Sequence, residues 1–111
     1  MPDPVVIANL VSGGWRNLEF QPFRQGVEIA PILEGEPAVA LLRYEAGAEI
    51  PLHSHPALET ILVLEGSQRD ERGVYKAGTL LLNPEGTRHA VASDEGCVVL
   101  IQWNKPVELL T

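Results

Sequence analysis

The chain has 111 residues, 8 Lys and Arg against 15 Asp and Glu, a formal net charge of −7, and a single cysteine, Cys97. The length fits one domain over residues 1–111, and the 45% apolar fraction is enough for one core without staples. The acidic balance argues against nucleic acid and anionic membrane as partners, and the lone Cys97 excludes a disulfide framework or a cysteine-rich zinc site.

The opening Met1-Pro2-Asp3-Pro4 lacks the basic and apolar regions of a signal peptide, and no apolar run approaches a membrane span. The cytoplasm is the expected location. From there the chain is punctuated by Gly, Pro, Asn and Asp between short runs rich in Val, Ile and Leu, the pattern of an all-β sandwich or barrel. Val5 to Leu10 reads as a first strand, ended by Ser12-Gly13-Gly14. Val27 to Leu33, interrupted by Pro31, reads as an edge or bent strand. Ala38 to Glu45 follows, then Thr60 to Glu65, stopped by Gly66. Ser67 to Asp70 and Val74 to Lys76 form a hairpin, with Asp70-Glu71-Arg72 as a solvated tip. Thr79 to Asn83, His89 to Ala92, Cys97 to Trp103 and an edge strand at Val107 to Leu110 complete the series.

Ile61-Leu62-Val63-Leu64 and Val98-Val99-Leu100-Ile101 are apolar on both faces of a strand. One face lines a barrel interior; the other needs a second layer or a second subunit, and a homodimer is expected on that ground.

The chemistry lies in the three histidines. His53 and His55 stand at i and i+2, on one face of an extended segment, and Glu59 keeps the same parity, although Pro56 interrupts the run. His89 arrives from a distant segment after the turn Pro84-Glu85-Gly86. Taken singly, His89 reads as a structural histidine and Glu59 as a surface charge. Together, three imidazoles and a carboxylate form a set suited to one divalent transition metal, Fe, Zn, Mn, Ni or Cu. Cys97 begins an apolar strand and reads as a small buried hydrophobe, and Trp15 and Trp103 as packing residues. Arg24, Arg43, Tyr44, Arg88 and Gln102 could orient a ligand, with ordinary surface or rim positions the simpler reading of each.

The spacing Gly47-x5-His53-x-His55-x3-Glu59-x6-Gly66, followed by Gly78-x5-Pro84-x-Gly86-x2-His89, resembles the two motifs of the cupin superfamily. The first occupies residues 47–66 and the second 78–93, where Ser93 replaces the Asn that usually ends it. Phe20 to Glu28, Ala40 to Gly47, Leu64-Glu65-Gly66-Ser67 and Gly96-Cys97 resemble the cupin-like domain of ChrR-type anti-sigma factors. The resemblance implies a small jelly-roll (double-stranded β-helix) barrel with His53, His55, Glu59 and His89 as metal ligands at its mouth. It implies action on a small organic molecule, as a metal-dependent dioxygenase or isomerase, or else a non-enzymatic metal- or ligand-sensing module. Those regulators also carry a separate N-terminal sigma-binding domain; this chain starts almost directly at the cupin motif region, so a sigma-inhibiting role is not expected.

Overall fold

The computed structural model describes residues 2–110, and their regular structure is antiparallel strand apart from one short 3-10 turn. The strands are β1 (Gln21–Arg24), β2 (Val27–Leu33), β3 (Ala38–Tyr44), β4 (Glu49–Ser54), β5 (Glu59–Asp70), β6 (Gly73–Lys76), β7 (Leu80–Asn83), β8 (Arg88–Ala92), β9 (Cys97–Trp103) and β10 (Glu108–Leu109). One sheet runs β1-β2-β3-β9-β5-β7 and the other β10-β4-β8-β5-β6. They share β5, whose first half pairs with β9 and β7 and whose second half pairs with β6 and β8. This is a curled jelly-roll sheet, as the sequence predicts.

Gly66 therefore does not stop a strand; it turns one. The register against β9 shifts between Val63 and Glu65, and Gly66 follows at φ +74. A Cβ there would collide with the carbonyl oxygen of Gly96, so only glycine lets the two backbones approach. The bulge also reverses side-chain parity. Glu59, Ile61 and Val63 are buried before it, whereas Gln68 and the side chain of Asp70 are buried after it.

The interior core includes Leu42, Tyr44, Ile61, Val63, Val99 and Ile101. The opposite face of the same strands is also covered, by the chain itself. Trp15, in a short 3-10 turn at Gly14–Asn17, packs with Ala30, Leu41 and Val98, flanked by Leu10, Leu18 and Phe20. Each large apolar side chain taken out of water in this way contributes about 1.5–3 kcal/mol. No second subunit is needed over these strands. On β7, Leu80 and Leu82 remain 59% and 52% exposed.

Two sequence expectations change here. Val5 to Leu10 is not a strand: Val5 and Val6 are exposed, residues 8–13 turn, and only Leu10 reaches the outer core layer. The position beside β2 is taken instead by β1, which pairs with it at Gln21–Arg24. Conversely β1 and β4 carry polar residues and prolines that hid them, at Gln21-Pro22 and Glu49-Ile50-Pro51. The predicted edge strand near the end of the chain is present as β10, paired with β4 at His53 and Ser54. Among the described residues no helix is long and apolar enough to cross a membrane.

Candidate metal centre

The β4–β8 pairing sets His53 directly opposite His89. His55, just beyond β4, stays in the ladder through backbone bonds from its N–H to the Thr87 carbonyl and from the Gly86 N–H to its own carbonyl. The i, i+2 spacing thus delivers both rings to one side, as expected. Glu59 arrives differently, as the first residue of β5 after the turn at Pro56, so strand parity with the histidines is not what places it. The three ring centroids lie 4.7 to 5.1 Å apart, and one ligand atom from each histidine falls within 4.8 Å of the others. All four residues are buried, none more than 3% exposed.

The tautomers follow from their partners. His53 Nδ1 lies 2.9 Å from the Pro51 carbonyl, His55 Nδ1 lies 3.0 Å from the Thr87 carbonyl and hydroxyl oxygens, and His89 Nδ1 lies 2.9 Å from Asp70 Oδ2. Carbonyls and carboxylates only accept, so each Nδ1 carries a proton, and in the neutral ring, the form that ligates a metal, Nε2 keeps its lone pair. The Nε2 atoms of His55 and His89 are buried without a hydrogen-bond partner. His55 Nε2 also stands 3.2 Å from Glu59 Oε1, and with the ring neutral these are two lone-pair atoms facing each other. A cation between them resolves that repulsion: two ligands at about 2.1 Å and a right angle sit about 3 Å apart. The donor set and its orphaned atoms therefore fit a divalent metal.

A second ring of groups holds the first, and most of it escaped the sequence reading. Glu59 Oε1 accepts a bond from Asn83 Nδ2 at 3.1 Å, across the β5–β7 pair. Thr87 donates its hydroxyl to the Pro84 carbonyl while accepting from His55. Asp70, expected at a solvated tip, instead has a side chain only 1% exposed, because the Gly66 bulge turns it inward. Burial alone would raise its carboxyl. The bonds from His89, the Arg72 backbone N–H and the Tyr75 hydroxyl outweigh that and hold it below the usual value. Burial likewise lowers His53, against the pull of the Pro51 carbonyl, so its ring stays neutral and free to ligate. Ser93, in place of the motif's Asn, is fully buried; its hydroxyl donates to the Ser67 carbonyl at 2.6 Å and ties the end of β8 to β5 at the corner.

A cavity of about 370 Å³ opens beside the cluster, with His53, Glu59 and His89 in its wall and Leu42, Ile101 and Trp103 among the apolar remainder. Of the residues considered as ligand-orienting, Arg24 and Tyr44 line it. Arg43 does not: it pairs with Glu28 at 2.8 Å and stacks over Phe20. Arg88 and Gln102 are exposed. Gln68, which the sequence did not single out, also lines it. A larger open groove, about 560 Å³ along Glu45, Gly47 and Arg69, touches none of the four clustered residues.

Comparison with known proteins agrees with this architecture. Residues 11–107 match the family model described as the ChrR cupin-like domain. The chain is 29% identical over 107 residues to the anti-sigma-E factor ChrR of Cereibacter sphaeroides, covering 94% of this chain and 50% of that protein. It therefore spans about half the length of this curated relative. The crystal structure of Rhodobacter sphaeroides SigE in complex with the anti-sigma ChrR superposes with a TM-score of 0.71 at 27% identity, over 79% of this chain and 49% of that one. An acetylacetone dioxygenase from Acinetobacter johnsonii shares the fold, with a TM-score of 0.80 at 13% identity over 100% of this chain and 79% of that one. So does the polyketide cyclase RemF of Streptomyces resistomycificus, at 0.74 and 14%, over 100% and 87%. With nearly its whole length matched by one family model, the chain belongs to the ChrR cupin-like domain family.

Proposed function

We propose that His53, His55, Glu59 and His89 hold one divalent transition metal (Fe, Zn, Mn, Ni or Cu), and that the chain acts on a small organic molecule in the adjoining cavity. The observation that carries this reading is the pair of buried, partnerless Nε2 atoms of His55 and His89, the first of them 3.2 Å from Glu59. Three neutral rings leave the Glu59 and Asp70 carboxylates to balance the charge of a divalent cation. The chain's own residues do the rest: backbone and carboxylate acceptors fix each ring, and the apolar cavity wall restricts water. A bound metal would supply Lewis acidity, and iron in particular dioxygen chemistry, giving a dioxygenase or an isomerase.

The test is elemental analysis of the purified protein, with close to one metal per chain expected. The folded double variant His55→Ala/His89→Ala should contain none; unchanged metal content in that variant would refute the centre. Oxygen uptake by the iron-loaded protein across diketones and phenolic acids then asks whether the site turns over.

A second reading is favoured by the family match: a non-enzymatic metal- or ligand-sensing module in the cytoplasm, related to the cupin half of ChrR. No turnover with any metal, together with ligand-dependent binding of a protein, would select it. We also propose a homodimer, supported by the exposed Leu80 and Leu82 on β7; a strict monomer in light scattering at micromolar concentration would reject it.

A further inference from the structure

Gln68 is 2% exposed, lines the cavity, and satisfies only half of its amide. Its Nε2 lies 3.4 Å from the Tyr44 hydroxyl, and its Oε1 has no partner. Turning the amide over would let Tyr44 donate to Oε1 but would strand the NH₂ instead, so either orientation leaves one end unmet. A buried amide left so is costly unless a ligand completes it. The Gly66 bulge, by reversing parity, is what aims Gln68 inward.

The cavity has one guanidinium among its lining residues, Arg24 on β1. The arginines engaged with carboxylates are Arg16, Arg43, Arg69 and Arg72; Arg24 pairs with none among the described residues. Arg24 is half-buried, while Gln68 and Tyr44 are buried. Leu42, Ile61, Val91 and Ile101 supply apolar wall in the same cavity. Its volume of about 370 Å³ equals roughly a dozen waters, which suits a compact ligand.

We infer that Gln68, Tyr44 and Arg24 form a recognition subsite for a small organic carboxylate with an apolar body and a second oxygen, the carboxylate meeting Arg24 and the second oxygen meeting the Gln68 amide and Tyr44 hydroxyl. This rests on the reading of the cavity as a ligand site and narrows its substrate class. None of the three is offered as a metal ligand.

The experiment is calorimetric binding of benzoylformate, which joins an aromatic ring, a ketone and a carboxylate, to the zinc-loaded protein. Acetophenone, lacking the carboxylate, is the comparison. Benzoylformate should bind about tenfold tighter than acetophenone, and Arg24→Leu should abolish that preference. Gln68→Met, close in volume, should weaken benzoylformate about tenfold while zinc stays at one per chain. Wild-type affinity in Gln68→Met, or no binding to any form, overturns the inference, as does loss of zinc in that variant. If the protein takes up no zinc yet binding survives chelator and still depends on Gln68, the subsite stands and the metal reading fails.

Discussion

Asp70 Oδ2 accepts the Nδ1 proton of His89 at 2.9 Å, with both side chains 1% exposed. The contact fixes the ring's orientation and tautomer and raises the basicity of Nε2. Asp70 is itself held at its other oxygen by the Arg72 N–H and the Tyr75 hydroxyl, each at 2.8 Å. It is a positioning residue. Asp70→Asn keeps the shape but loses the charge and should weaken metal affinity by about 10- to 100-fold. Competition with a coloured chelator measures this, and Asp70→Leu should weaken it further. An unchanged affinity in both variants would leave Asp70 with a purely structural role.

Metal removal should destabilise the fold, because it strands the Nε2 atoms of His55 and His89 and faces one of them with Glu59. A cation that binds only the folded state contributes about 2.7–4 kcal/mol at 100 to 1,000 times its Kd. For a chain of this length each kcal/mol moves Tm by about 4–8 °C. Thermal unfolding with and without chelator should therefore differ by on the order of 10 °C or more. Coincident curves would argue that these atoms never carry a cation.

The four clustered residues were legible because their spacing is a pattern of residue types. Their positions come from β4, β5 and β8, whose pairing brings the motifs together. The supporting groups were not legible. Asp70 and Gln68 point inward only because one bulge at Gly66 reverses the parity of β5, and an acidic Asp70-Glu71-Arg72 run looks like any solvated turn. Asn83 is brought to Glu59 by strand pairing across many residues of chain, which no local signal records. The apolar runs on both faces of the strands are legible, and Trp15 is legible as a packing residue, but that Trp15 covers β3 and β9 is not, because the short turn at Gly14–Asn17 that sets it there has no sequence period.

Gly66→Ala should be among the most damaging single changes. Its φ of +74 is strained for any L side chain, and the added methyl meets the rigid Gly96 carbonyl. A loss of at least about 3 kcal/mol is expected from strain and clash together. Gly35 supplies the control. It also has a positive φ, +122, but nothing lies within 4 Å of a Cβ there, so Gly35→Ala should cost less. Equal losses in denaturant titrations would mean that backbone strain alone, and not the crossing of β5 and β9, sets the demand for glycine.

Cys97 is buried, and burial pushes its thiol from 9.0 up to about 11, with the Ser93 hydroxyl pulling the other way and Glu95 adding to the rise. The folded state then holds this proton more tightly than the unfolded chain. Its stabilising contribution is complete below pH 9 and is lost as pH rises from 9 to about 11. Native protein should thus resist thiol reagents at pH 7 and label fully in denaturant. Replacement by Ala should flatten the alkaline fall in stability. Rapid labelling of the native protein at pH 7 would contradict this burial.

Trp15 tests the outer layer separately from the centre. It is 6% exposed and packs on Leu41 and Val98, on the face opposite the interior cluster that holds Leu42 and Val99. Trp15→Ala should cost about 3–5 kcal/mol, since the turn at Gly14–Asn17 offers nothing to fill the space. Because β3 and β9 separate Trp15 from the interior, metal stoichiometry at a temperature where the variant is folded should not change. The uncovered face would present Leu41 and Val98 to solvent, so the variant should also self-associate more than the parent in light scattering. A drop in metal content at constant fold would mean that the outer layer positions β5 and β8, and that the two faces of the sheet are coupled.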